Sequence, residues 1–238
     1  MRRTPARAFT LIELLVVIAI IALLISIMLP ALASARGSAR TLGCLAQMRS
    51  LGQMSLLYLN DHDDTFMRSQ HSAMPKQVMP WEYAMFAYFE DEKFVTEDDR
   101  WFSLVDSDYR CPQDPRRDLE YTKRYGYNGS YGVNVYMELD AFETGGPTWT
   151  RSHHIPRPSS TIWFAEVYEG DNLQSRSDHI MAHFWTQSGA PPDADVAGDR
   201  HGNGSGYIHV DGHADKRPLA DTFDPSQSTD DWNPDTAG

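Results

Sequence analysis

Phe9-Thr-Leu-Ile-Glu13-Leu-Leu-Val-Val-Ile-Ala-Ile-Ile-Ala-Leu-Leu-Ile-Ser-Ile-Met-Leu29 decides the reading of this chain. Its 21 residues, wound as an α-helix at about 1.5 Å per residue, reach across the apolar core of a bilayer. Only Thr10, Glu13 and Ser26 interrupt the apolar run. Arg2, Arg3 and Arg7 precede it, which predicts a cytoplasmic N-terminus and an outward-facing remainder, with a periplasmic head. A carboxylate at membrane depth is costly, so Glu13 is a functional residue by default.

The residues before the run add register. Met1 to Ala8 form a short leader ending in a small residue, Phe9 follows, and Glu13 stands four residues after it. This arrangement resembles the N-terminal segment of type IV prepilins and type II secretion pseudopilins. The resemblance implies cleavage between Ala8 and Phe9 by a prepilin peptidase and methylation of the new Phe9 amino group. It also implies that Glu13 meets that amino group on an adjacent subunit. The family usually has Gly before the cut, so Ala8 departs from the pattern while remaining small.

Charge divides the chain. The net charge is -12, but residues 1–60 carry six Lys/Arg and one acid, whereas residues 61–238 carry 15 Lys/Arg and 32 acids. An acidic exported part speaks against nucleic acid, whose phosphates need clustered Lys and Arg. It suits divalent cations, basic faces of neighbouring subunits, or simple solubility. Cys44 and Cys111 are the only cysteines. Outside the inner membrane the compartment permits a disulfide, and a Cys44–Cys111 bond would staple head to stem.

Outward from the run, Pro30 predicts a kink. Leu42, Leu45, Met48, Leu51, Met54 and Tyr58 recur at helical spacing, an amphipathic continuation with one buried stripe. Gly37, Gly43 and Gly52 read as weak points in that helix. The resulting organisation is a leader at 1–8, a transmembrane and assembly helix at 9–29, and an amphipathic continuation at 30–60. A β-rich head follows at 61–220, with a loose acidic tail at 221–238. Within the head, Trp81–Phe94 reads as an aromatic helix and Arg110–Asp114 as a turn. Tyr125–Tyr136 and Thr161–Tyr168 read as strands, and residues 169–200 as polar and irregular. Tyr207–Lys216 predicts a hairpin closed by a two-residue Asp211-Gly212 turn of type I′. The fold class is α+β and pilin-like: a long N-terminal membrane-spanning helix packed on an antiparallel sheet.

His201, nine further residues and Asp211-Gly212 form an H-x9-DG element. Together with Cys111-Pro112, Ser130–Asn134 and Arg157–Glu166 it resembles prepilin-like proteins of planctomycete-type bacteria, the DUF1559 group. The same stretch offers candidate zinc ligands, since His209, Asp211 and His213 alternate and would share one face of a continuous strand. A turn at Asp211-Gly212 would instead send the two histidines apart. His153, His154, His179 and His183 read as surface or satisfied polar histidines. Major pseudopilins resemble one another in holding calcium in a C-terminal loop, and Asp193, Asp195, Asp199, Asp221 and Asp224 are this chain's candidate hard-oxygen ligands; no cofactor is required. The sequence has no G-x-S-x-G, H-E-x-x-H, P-loop or paired C-x-x-C, and Gly202–Gly206 opens no helix, so it reads as a flexible turn.

These features predict a non-enzymatic pilin or pseudopilin subunit of the inner membrane. Its partners are prepilin peptidase, like subunits in a filament and an assembly platform. The alternative is a membrane-anchored metal- or ligand-binding head that uses the same export route.

Overall fold

The apolar run continues without a break into the head as one helix, α1, from Leu11 to Asp61. The computed structural model describes residues 11–88, 109–116, 129–144, 146–168 and 177–238. Ala8 and Phe9, and the parts of the expected elements at 89–94 and 125–128, lie outside them. Among the described residues α1 is the one helix long and apolar enough to cross a membrane, and α-helical geometry persists through Pro30.

The chain forms two units, Met1–Arg40 and Thr41–Gly238. Residues 41–60 thus belong with the head rather than with a separate stem. In the first unit Leu11 to Leu32 leave their large apolar side chains exposed. In the second, the buried face of α1 is Cys44, Met48, Leu51, Gly52, Ser55 and Leu59. That stripe is rotated from the expected one: Leu42 is 67% exposed, and small Cys44, Gly52 and Ser55 lie inside. At Gly52 the hairpin of Ile208 and Gly212 comes too close for any side chain, and Cys44 is held by its bond to Cys111.

The sheet contains β1 (Tyr131–Asn134), β2 (Ile162–Glu166), β3 (His179–Ile180), β4 (Ser205–His209) and β5 (Ala214–Arg217), in the order β3-β1-β2-β4-β5. All its pairings are antiparallel except β1 with β3. One face packs on α1 through Tyr131, Val133, Trp163, Phe164 and Ile208. The other buries Ile162, Ala165, Tyr207, Trp185, Phe223 and Trp232. Consecutive Trp163 and Phe164 join one cluster because the register of β2 against β4 shifts between Ile162 and Phe164. A bulge lets neighbours on a strand face the same side.

The remaining expectations are adjusted locally. The aromatic segment is a helical turn at Trp81–Ala84 followed by a 3-10 turn at Met85–Tyr88. Residues 177–200 include β3 and a short helix, His183–Gln187. The tail is not loose. β6 (Phe223–Asp224) pairs with β7 (Thr229–Asp230), Trp232 is fully buried, and Asn134 donates to the Trp232 carbonyl at 2.8 Å. Its polar composition masked two aromatic anchors.

Candidate functional site

In the first unit, Glu13 lies in the first turn of α1, exposed among exposed aliphatic side chains. A helix N-terminus favours a carboxylate through its unsatisfied N–H groups. Here the side chains around it form the apolar surface of a helix long enough to cross a bilayer.

The second unit gathers the scattered pieces of the head motif. Cys111, Ser130, Glu166 and His201 come from four separate segments and meet in one buried network. Cys44 and Cys111 are disulfide-bonded, with Cα atoms 5.1 Å apart. The Cys111 N–H donates to Ser130 Oγ at 2.9 Å, and Ser130 Oγ donates to Asp114 at 2.6 Å. Arg116 grips the same carboxylate with Nε at 3.0 Å and Nη2 at 2.6 Å. Arg200 spans the centre: it donates to the Val167 carbonyl at 2.7 Å and lies 3.6 Å from Asp114 and 3.5 Å from Glu166. Glu166 at the end of β2 accepts the Gly206 N–H at 2.8 Å and lies 3.0 Å from His201 Nε2. His201 Nδ1 is 2.6 Å from Gln113 Oε1.

The electrostatics follow from this wiring. Burial opposes ionisation of Asp114, but the Arg116 bond, the Arg200 and Arg116 charges and the Ser130 hydroxyl outweigh it and hold the carboxyl at about 2. Burial likewise opposes ionisation of Glu166, yet Arg200 and His201 lower its pKa below the usual carboxylate value. Buried ions are tolerable only when paired and hydrogen-bonded in this way. The network therefore ties the 110–116 loop, β1, β2, β4 and α1 together. In the sequence Asp114 reads only as a turn residue, and Arg116 and Arg200 carry no signal, because an isolated Asp or Arg reads as surface charge.

The other half of the H-x9-DG element is architectural. Gly212 N–H donates to the His209 carbonyl and His209 N–H to the His213 carbonyl, both at 2.9 Å. Val210, Asp211 and Gly212 thus make a three-residue loop with a glycine bulge, not the two-residue type I′ turn expected. Only Gly212 has positive φ, at 85°. The loop rests against α1 at Gly52: a Cβ on Gly52 would lie 2.6 Å from the Gly212 oxygen. Gly52 is a contact point rather than a weak spot. Gly206 also belongs to strand β4, where a Cβ would overlap Met48 of α1, so this glycine stretch is not merely a flexible turn.

The turn does not part His209 and His213. Their rings stack with centroids 4.1 Å apart and an angle of 4°, and ligand atoms of both lie with Asp215 within 4.8 Å. Parallel rings aim their lone pairs along parallel planes rather than at one ion. Arg217 already stands 3.4 Å from His209 Nε2, and its guanidinium pairs with Asp215 and Asp231. A guanidinium thus takes the place a cation would need. Of His153, His154, His179 and His183, His183 is buried rather than at the surface and its Nδ1 has no hydrogen-bond partner, while His179 pairs with Asp178 at 2.8 Å.

The calcium aspartates are not assembled. Asp195 is buried and accepts from Trp185 Nε1 at 2.8 Å, Asp193 and Asp199 line an open cleft of about 520 Å³ with Tyr168 and Val196, and Asp221 lies in a 3-10 turn. Asp224 caps its own turn by accepting from Ser226. Among the described residues neither cluster of metal-competent side chains includes any of these five.

No curated protein and no solved structure matches the chain. Residues 3–29 match the family model described as Prokaryotic N-terminal methylation motif, which marks the segment holding Ala8, Phe9 and Glu13 as that of a prepilin-like substrate for prepilin peptidase.

Proposed function

We propose that this protein is a filament-forming, non-enzymatic subunit. It is cut between Ala8 and Phe9, methylated on Phe9, held in the inner membrane with its head outside, and drawn into a type II secretion pseudopilus or a type IV pilus-like filament. The observation that carries this reading is the register of one segment: small Ala8, then Phe9, then Glu13, within the matched residues 3–29. After cleavage the Phe9 ammonium of one subunit pairs with Glu13 of the next. Two charges that are each expensive in hydrocarbon offset one another there, so assembly gains register as well as adhesion. Like subunits supply the surface that covers the exposed aliphatic face of residues 11–32.

Intact-mass analysis of the protein from cells with an active prepilin peptidase tests this. The mature chain is expected to begin at Phe9 and to carry one added methyl. Ala8→Glu is expected to block processing while membrane insertion, driven by the apolar segment, persists. A chain that retains Met1–Ala8 in such cells overturns the reading.

A membrane-anchored metal-binding head is the second reading, favoured by the gathering of His209, His213 and Asp215. It expects chelator to lower the melting temperature and His213→Ala to abolish that sensitivity. The assembly reading expects chelator to have no effect at that cluster.

A further inference from the structure

We infer that Cys44, Cys111, His201 and Glu166 form a zinc site in the dithiol state of the chain, so that the same four residues hold either a disulfide or a metal ion. One ligand atom from each lies within 4.8 Å of the others, and all four residues are buried. Two sulfurs, one imidazole nitrogen and one carboxylate oxygen make a tetrahedral zinc donor set.

The surroundings fit that set. His201 Nε2 faces inward, 3.7 Å from Cys111 Sγ and 3.0 Å from the Glu166 carboxylate. Its other nitrogen is held by Gln113 Oε1 at 2.6 Å, and Gln113 is itself oriented by donating from Nε2 to Thr41 Oγ1 at 3.3 Å. A metal-bound histidine needs such an outer partner to fix its ring and tautomer. Charge also balances: two thiolates and Glu166 offset a divalent ion together with Arg200, whose guanidinium lies 3.5 Å from Glu166. The ligands come from α1, the 110–116 loop, β2 and the segment before β4. Metal and disulfide therefore make the same cross-link between helix and sheet.

The interconversion balances. A dithiol reductant gives up two electrons and two protons and closes to its own disulfide, while the Cys44–Cys111 bond opens to two thiols. On metal entry each S–H proton passes to water as its Zn–S bond forms, and zinc stays divalent.

Full-length protein in detergent tests this. It is reduced with a water-soluble phosphine, which becomes its oxide with oxygen from water, loaded with zinc alone and desalted. The reduced chain is expected to retain stoichiometric zinc and the oxidised chain none. Cobalt in place of zinc should show sulfur-to-cobalt charge-transfer absorption. Gln113→Leu, which removes the bond to Nδ1 together with the one to Thr41 Oγ1, should weaken zinc binding by about 10–100-fold, and His209→Ala should leave it unchanged. A reduced chain that takes up no zinc, whether its near-UV circular dichroism stays native or is lost, overturns the inference. Equal uptake by the oxidised chain, or uptake that survives Cys44→Ser/Cys111→Ser, also overturns it.

Discussion

Gly52→Ala sets helix propensity against tertiary packing. In a helix interior, alanine exceeds glycine by about 0.8–1.0 kcal/mol, so α1 taken alone predicts stabilisation. In the folded head, the new Cβ would lie 2.6 Å from the Gly212 carbonyl oxygen and 2.9 Å from Ile208 Cγ2. The first of these is backbone, in a loop held at both ends by its own hydrogen bonds to His209 and His213. It cannot swing aside as a side-chain tip can. Overpacking of this kind costs about 1–3 kcal/mol, and two obstructions place Gly52 in the upper half of that range. The net expectation is a loss of roughly 1–2 kcal/mol. For a domain this size each kcal/mol moves the midpoint by about 2–4 °C, giving a fall of roughly 2–8 °C. Gly43→Ala is the control in the same helix: its Cβ would meet only Pro112 Cγ at 3.9 Å, an ordinary contact, so propensity should prevail and the midpoint rise. Thermal melts of the full-length protein in detergent, followed by near-UV circular dichroism, read both. A midpoint that rises equally in the two variants refutes the close-approach argument.

Gly212→Val should destabilise the head by about 1–3 kcal/mol, because a β-branched residue must adopt φ near 85°. His213→Ala, at an exposed ring, should stay within about 0.5 kcal/mol, whereas His209→Ala should cost about 1–3 kcal/mol, since His209 is buried against Asp215; chemical denaturation ranks the three, and a mild Gly212→Val removes the case for the bulged loop. Asp114 is shifted downward, from 3.8 to about 2, so its contribution is full above the unfolded value and is lost as pH falls through the folded one. That is about 2 kcal/mol of acid-labile stability, which Asp114→Asn should abolish; parent and variant losing stability in parallel between these two values would count against it. Glu13→Ala should insert at least as well as the parent, since burying the acid costs about 2.5–3.5 kcal/mol, yet enter filaments poorly; pelleting of assembled material checks this, and parental assembly sinks the proposed pairing with Phe9.

The features legible in the sequence are the local ones. An unbroken aliphatic run declares α1 whatever surrounds it, because its hydrogen bonds close within the segment. Phe9 and Glu13 can be placed by counting along that run. The hairpin was legible too, since Asp-Gly between β-rich segments marks a reversal, although the loop type was not. An extra residue in the loop shifts positive φ onto Gly212 alone.

Tertiary structure decided which face of α1 is buried, and it turned Gly52 and Gly206 into contact points. It also fastened the tail through Trp232 and Asn134. The network around Asp114, Glu166, Arg200 and His201 lay beyond sequence reading for the same reason. Each charge is unremarkable until folding removes water and leaves it only protein partners, and those partners lie as many as 90 positions away, as Cys111 does from His201. By itself, the sequence determined a prepilin-like apolar helix near the N-terminus. Only the fold, by desolvating residues remote in sequence, determined what holds the sheet to residues 41–61 of α1.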